Sequence, residues 1–308
     1  MKDKLDMMTN HKHLRSTIED IYLNNNELNE DLAFRLINEF RYSNLFIPAK
    51  RENGTLNFII YETDGAKLTP LFTDMDEYRK FYRDEDFQVF QNSFELYQNV
   101  LKTTEIEGYI LNPASEKYLF TKEFILSIKN VPKSNFYSNN PFTAEELRDY
   151  KDSIDNSPLE AFIENPQNVG YFEGLFEMLS NSAVLALMVS GNDLSHLVKD
   201  GIISMQSTGP LASMYTDKVG GIYATIFSSQ DKIRAVNTDG FKYCQVINLA
   251  TLVNFVLSED MDGIILNPES DNVLIPRATL LKYSLGFEKY ANNEKLSTSI
   301  FYMFPLQD

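Results

Sequence analysis

The chain has one cysteine, no tryptophan and three histidines in 308 residues. The lone Cys244 excludes an internal disulfide and a cysteine-rich metal site. Three histidines leave little side-chain material for acid–base chemistry at neutral pH. No apolar run reaches the roughly 18–20 residues that a membrane-spanning helix needs. The opening stretch, MKDKLDMMTNHKHLRS, lacks the apolar centre of a signal peptide, so a cytoplasmic protein is expected. Cations are also scarce: 28 Lys and Arg stand against 44 Asp and Glu, for a net charge of -16 and a pI of about 4.7. Such a surface repels nucleic-acid phosphates and anionic lipid headgroups, so neither is expected as a partner.

Apolar residues make up 43% of the chain, ample for packed cores, and the length suits two domains of ordinary size. The sequence also repeats itself. Residues 108–115 read GYILNPAS and residues 263–270 read GIILNPES. Upstream, LFTDMDEYRKF around Phe72 matches IFSSQDKIRAV around Phe227. One offset of 155 residues carries the first copy onto the second without a gap, from Phe72/Phe227 to Leu119/Leu274. Asp76/Asp231, Arg79/Arg234, Gly108/Gly263, Asn112/Asn267, Pro113/Pro268 and Ser115/Ser270 are among the identical pairs. A matched register with matched apolar positions is the mark of an internal duplication.

The first copy is expected over 28–130, after a tail of 1–27 in which a short helix over Leu14–Leu23 is possible. Apolar spacing predicts a helix at about 29–42. Three strands should follow: LFIPA, TLNFIIYE and KLTPLF, divided by turns at Asn53-Gly54 and Asp64-Gly65. Pro48 and Pro70 belong at strand ends or sheet edges, because they cannot donate to a ladder. Thr73 with Asp76, and Ser228 with Asp231, read as helix caps. Helices after Ser93 and Asn248 should face inward through Phe94, Tyr97 and Leu101, and through Leu249, Leu252 and Val256. The segment 131–167 reads as a partly helical linker, with a helix at TAEELRDYK.

The second copy, 168–308, opens with a helix at 170–180 under a different offset of 139 residues, so it gains 16 residues before Phe227. Its turn signals predict about five strands there, hence an inserted hairpin at about 190–221. STSIFYMFPL reads as a terminal strand. The fold class is therefore α+β: two tandem copies of a mixed-sheet domain, an antiparallel meander followed by strand–helix crossovers.

Few residues carry chemistry. His11 and His13 read as tail residues, and His196 stands alone. Cys244, in FKYCQVI, reads as a buried strand residue without an activating histidine. Gly220-Gly221 lacks the strand–loop–helix setting of a phosphate loop. Asp84-Glu85-Asp86 and Glu259-Asp260 lack the spacing of a calcium loop. No catalytic, cofactor-binding or metal-binding set is assigned. Asn112-Pro113 and Asn267-Pro268 admit two readings: an Asn presenting its amide to a ligand, or a turn in which Asn bonds its own backbone and Pro presets φ. The structural reading is preferred, and Phe72, Gly108, Phe227 and Gly263 are placed with it. Within the insertion, His196, Met205, Met214 and Tyr215 are candidates for partner binding, since Met and Tyr offer adaptable apolar contact.

The motifs LTPLFTDMDEYRKF with GYILNPAS, and YATIFSSQDKI with GIILNPES, resemble the SseB family, named for enhanced serine sensitivity. The resemblance implies two tandem copies of the family's N-terminal domain, whereas usual members join one copy to a different C-terminal domain. It supplies no catalytic residues. A non-enzymatic protein-binding or scaffold protein is the first expectation. An amino-acid- or small-molecule-sensing module is the second, and a carboxylate-based hydrolase or transferase the third.

Overall fold

The computed structural model describes residues 11–52, 55–63, 65–83, 87–128, 155–165, 170–180, 182, 184–190, 203–204, 211–213, 215–218, 221–236, 243–247, 249–284 and 302–305. The chain is mixed α+β, with four small sheets that contain both parallel and antiparallel pairs. It divides into two compact units: unit 1 is Met1–Val131 with Leu257–Asp260, and unit 2 is Pro132–Val256 with Met261–Asp308.

Unit 1 begins with two helices, α1 (Lys12–Leu23) and α2 (Glu30–Tyr42). Asn29 caps α2 by accepting the Leu32 N–H at 2.8 Å, and Glu30 and Asp31 favour the positive end of its dipole. Strands β1 (Phe46–Glu52), β2 (Thr55–Phe58) and β5 (Gln88–Gln91) form an antiparallel sheet in the order β2-β1-β5. A second sheet holds β3 (Tyr61–Thr63), β4 (Ala66–Leu71), β6 (Gly108–Leu111) and β7 (Tyr118–Thr121) in that order. The β4–β6 pair is parallel, and its crossover carries α3 (Met75–Phe81), β5 and α4 (Phe94–Thr103). Helix α5 (Lys122–Ser127) follows β7. Phe72 bridges the two sheets: it exchanges backbone hydrogen bonds with Phe46 at 2.8 and 2.9 Å.

Unit 2 repeats this plan with α6 (Ser157–Glu164), α7 (Tyr171–Ser180), β8 (Val184–Ser190), β9 (Ile203–Ser204), β10 (Leu211–Ser213), β11 (Tyr215–Lys218) and β12 (Gly221–Ile226). Then come α8 (Gln230–Ile233), β13 (Tyr243–Ile247), α9 (Leu249–Ser258), β14 (Gly263–Leu266), β15 (Val273–Pro276), α10 (Arg277–Ser284) and β16 (Tyr302–Pro305). Its sheets run β10-β8-β13-β16-β9 and β11-β12-β14-β15.

The registers correspond pair by pair. Ala49↔Phe58 recurs as Met188↔Ser213, and Phe46↔Gln91 as Leu185↔Val246. Tyr61↔Leu68 recurs as Thr216↔Tyr223, and Leu71↔Leu111 as Ile226↔Leu266. The bridge Phe46↔Phe72 recurs as Leu185↔Phe227, joining the 139- and 155-residue offsets in one contact. The inserted residues therefore lie between β8 and β10. They add the short strand β9, which pairs with the terminal strand β16 at the far edge of the sheet.

The insertion adds one described strand, where a hairpin of two was expected. The count differs because TLNFIIYE is two strands, β2 and β3, which leave one sheet at Ile59–Ile60 and enter the other. Periodicity cannot show such a switch, since both halves keep strand character. The prolines also sit differently: Pro48 and Pro70 lie inside central strands. Each stands where pairing to one neighbour ends. β1–β2 pairing stops at Ala49↔Phe58, and β3–β4 pairing stops at Tyr61↔Leu68. No ladder donor is lost there.

The duplication reaches further upstream than the sequence shows. Helices α1 and α6 start at the same place under an offset of 145 residues, and Leu14/Leu159 and Ile18/Ile163 are buried in both units. Buried His11 opens α1, with Nε2 3.2 Å from the Asn44 carbonyl oxygen, so it is no tail residue. His13 lies two residues on in the same helix, and that spacing points the two rings to different sides.

The two cores use different side chains at the same places. Phe40, Phe94, Tyr97, Tyr109 and Phe120 are buried in unit 1, and Leu179, Leu249, Leu252, Ile264 and Ile275 hold those positions in unit 2. Phe40 stacks on Phe120 at 4.1 Å and meets Phe94 edge-on at 5.6 Å. The Tyr97 hydroxyl donates toward the carbonyls of Leu45 (2.9 Å) and Asn92 (2.6 Å). Buried hydroxyls need such partners, and the aliphatic residues at these places in unit 2 do not.

Candidate functional site

The repeated Asn–Pro turn is the most constrained polar feature of each unit. Asn112 and Asn267 take left-handed backbone angles, with φ of 42° and 53°. That region suits Asn better than most residues. The Asn112 carbonyl accepts from Ser115 (2.8 Å) and Lys117 (3.2 Å), and that of Asn267 from Ser270 (3.2 Å) and Asn272 (2.9 Å).

The structural reading expected the side chain to bond the backbone of its own turn, and it does not. It reaches across the unit to the residue after the bridging Phe. Asn112 Oδ1 accepts the Thr73 N–H at 3.0 Å, and Asn267 Oδ1 accepts the Ser228 N–H at 2.8 Å. The amide Nδ2 donates to Thr73 Oγ1 (3.0 Å) and Glu116 Oε2 (2.8 Å), or to Ser228 Oγ (2.9 Å) and Asp271 Oδ2 (2.7 Å). Both asparagines are fully buried with both ends of the amide engaged. Thr73 and Ser228 are thus held by the asparagine and cap nothing. Asp74 caps α3 by accepting the Glu77 N–H, and Ser229 precedes α8 without a side-chain cap bond.

Glycine is required beside the turn. A Cβ on Gly108 would stand 2.4 Å from the Phe120 carbonyl oxygen, and one on Gly263 2.3 Å from that of Ile275. Gly263 also has φ of 152°. Buried Pro113 and Pro268 follow the asparagines.

Charged groups surround each turn, with opposite arrangement. In unit 1, Arg15 of α1 lies 2.6 Å from Glu116 and 3.4 Å from both Asp74 and Glu77. Buried Glu77 also accepts from Lys80 (2.5 Å) and Ser115 (2.6 Å). Burial pushes the Glu77 carboxyl up, but the hydrogen bonds from Lys80 and Ser115 and the charges of Lys80 and Arg15 outweigh it, holding it below the usual range. In unit 2, Lys232 stands at the place of Glu77 and pairs with Asp271 at 2.8 Å. Glu160 of α6 stands at the place of Arg15 and accepts from Ser228 Oγ at 2.6 Å.

A second repeated feature lies on the opposite face of the four-stranded sheets. Tyr109, Leu111 and Phe120 point into the core, so alternation turns Ile110 and Leu119 outward. These two face each other across β6–β7, as Ile265 and Leu274 do across β14–β15, where Ile265 itself is buried. Leu119 is 49% exposed and Leu274 46%. Each stands on an edge strand whose outer side has no partner among the described residues.

The remaining candidates fall apart. His196, Met205 and Met214 lie outside the described residues; Tyr215 opens β11 opposite Ala224. Cys244 is buried in β13, where burial pushes its thiol up and keeps it protonated. Asp84, Glu85 and Asp86 also lie outside the described residues. Among the described residues no group of three His, Cys, Asp or Glu side chains could hold a metal ion, and no helix is long and apolar enough to cross a membrane. The outward leucine pair was visible in the sequence as Leu119/Leu274, but nothing there said which face it took. No family model, curated protein or solved structure matches the chain.

Proposed function

We propose that this chain is a non-enzymatic scaffold with two equivalent protein-binding sites, one on each of two SseB-like domains. The observation that supports this most is the exposed leucine, Leu119 or Leu274, that stands at the same place on an unpartnered edge strand in both copies. Five core positions diverged from aromatic to aliphatic between the copies, yet this exposed leucine did not. An edge strand offers a row of backbone donors and acceptors to an extended peptide, and an apolar side chain beside it gives that peptide an anchor. The Asn–Pro turns lead into the edge strand and engage their polar side chains with the protein itself, which favours binding at the edge over sensing of a small ligand at the turn.

The test is affinity capture from native-host extract, with the captured protein then titrated against Leu119→Lys, Leu274→Lys and the double variant. Two linked sites predict that each single change weakens binding roughly tenfold or more and that the double change abolishes it. The exposed positions should leave thermal stability unchanged. Full binding by the double variant would refute the proposal.

A further inference from the structure

The two units share fold, register and turn, which raises a problem for the chain. Helix α1 and helix α6 each end their docking at an Asn–Pro turn, and the two turns offer the same Asn–hydroxyl pair. The backbone alone gives α1 no reason to choose unit 1. The charges do. Arg15 and Glu160 hold corresponding places on the two helices, and Glu77 and Lys232 corresponding places on α3 and α8 beside the two turns. Both signs are reversed together. We propose that this paired reversal is a sorting device that seats each helix on its own copy during folding and prevents exchange between the tandem domains or between chains.

The geometry gives the device its sense. At home, Arg15 lies among Asp74, Glu77 and Glu116. Seated on unit 2 it would meet Lys232, with Asp271 already paired to that lysine. Glu160 at home accepts from Ser228, and its charge together with that of Glu164 adds to Asp271 in raising the pKa of Lys232. Seated on unit 1 it would join Asp74, Glu77 and Glu116, where Lys80 is bound to Glu77. Like charges brought together at partly buried sites cost more than they do in water, so the wrong pairing is penalised twice. Asn156, which opens α6, adds a bond of its own by donating to the Ser228 carbonyl at 2.7 Å.

The test uses the full chain in a Cys244→Ala background. Cysteines at positions 22 and 118 report native docking of α1 through a short bismaleimide, since the Tyr22 and Tyr118 rings lie 6.0 Å apart. Cysteines at 22 and 273 report the exchanged docking, because Val273 corresponds to Tyr118. After refolding from urea, the unaltered charges should give only the first product. Arg15→Glu with Glu160→Arg should lower it at least about fivefold and produce the second, within or between chains. Arg15→Glu with Asp74→Ser and Glu77→Lys gives unit 1 the charges of unit 2 and should recover the first product alongside the second, since both units then offer α1 the same charges. An unchanged native yield in the double exchange would overturn the proposal. So would loss of the native product without the exchanged one, or failure of the compensated variant to recover it.

Discussion

Asn112 and Thr73, 39 residues apart, exchange two hydrogen bonds: the Thr73 N–H donates to Oδ1 and Nδ2 donates to Oγ1, each at 3.0 Å. Asn267 and Ser228 repeat the exchange. The pair ties the end of β4 to the end of β6, the two strands joined by the long crossover.

Replacing Asn112 by Ala should destabilise unit 1 by about 2–4 kcal/mol. A buried N–H left without a partner costs about 1–3 kcal/mol, and the left-handed backbone adds roughly 1 kcal/mol for a residue with a plain Cβ. Asn267→Ala should act on unit 2 in the same way. Urea unfolding, read at equilibrium, measures both. An effect below about 0.5 kcal/mol would contradict the geometry.

Gly108→Ala and Gly263→Ala should each be worse tolerated than an ordinary surface change, because the new Cβ collides with backbone that cannot rotate away. A loss of about 2 kcal/mol or more is expected. Hydrogen exchange should show the loss first at the β6–β7 or β14–β15 ladder.

Unit 1 should lose stability in acid through Glu77. Its folded carboxyl lies below its ordinary range, so the unfolded chain takes up the proton first as pH falls. The contribution is full above the unfolded value and disappears as pH drops through the folded one. Glu77→Gln should flatten the acid limb of the stability profile, and Ser115→Ala should shift it toward higher pH. An acid limb identical to that of the unaltered chain would count against this assignment.

Removing 16 residues between β8 and β10 should leave unit 2 folded. The β8–β10 and β8–β13 registers already match those of β1 with β2 and β5. The expected cost is loss of β9 and exposure of the β16 edge, read as faster amide exchange in β16. Global unfolding of unit 2 would show that the insertion is part of its core.

The repeat, its offsets and most elements were legible in residue order. Helix α2, the inward faces of α4 and α9, the terminal strand β16 and the mixed α+β class all follow from local pattern, because periodicity and turn chemistry act over a few residues. What stayed hidden was long-range. That β2 and β3 join different sheets depends on which strands they meet, not on their own composition. That Pro48 and Pro70 fit inside central strands depends on where a neighbour's pairing stops. That Thr73 is a partner of Asn112, leaving Asp74 as the cap, depends on a residue 39 positions away. The kinship of α1 with α6 was hidden because only Leu14/Leu159, Ile18/Ile163 and Glu19/Glu164 are kept, too few to stand out in sequence. Sequence alone determined the duplication and the order of elements, since both are written in local pattern. Only the tertiary structure decided which polar groups meet and which leucines face outward, because distant segments must be packed together before burial and hydrogen bonding can choose among side chains.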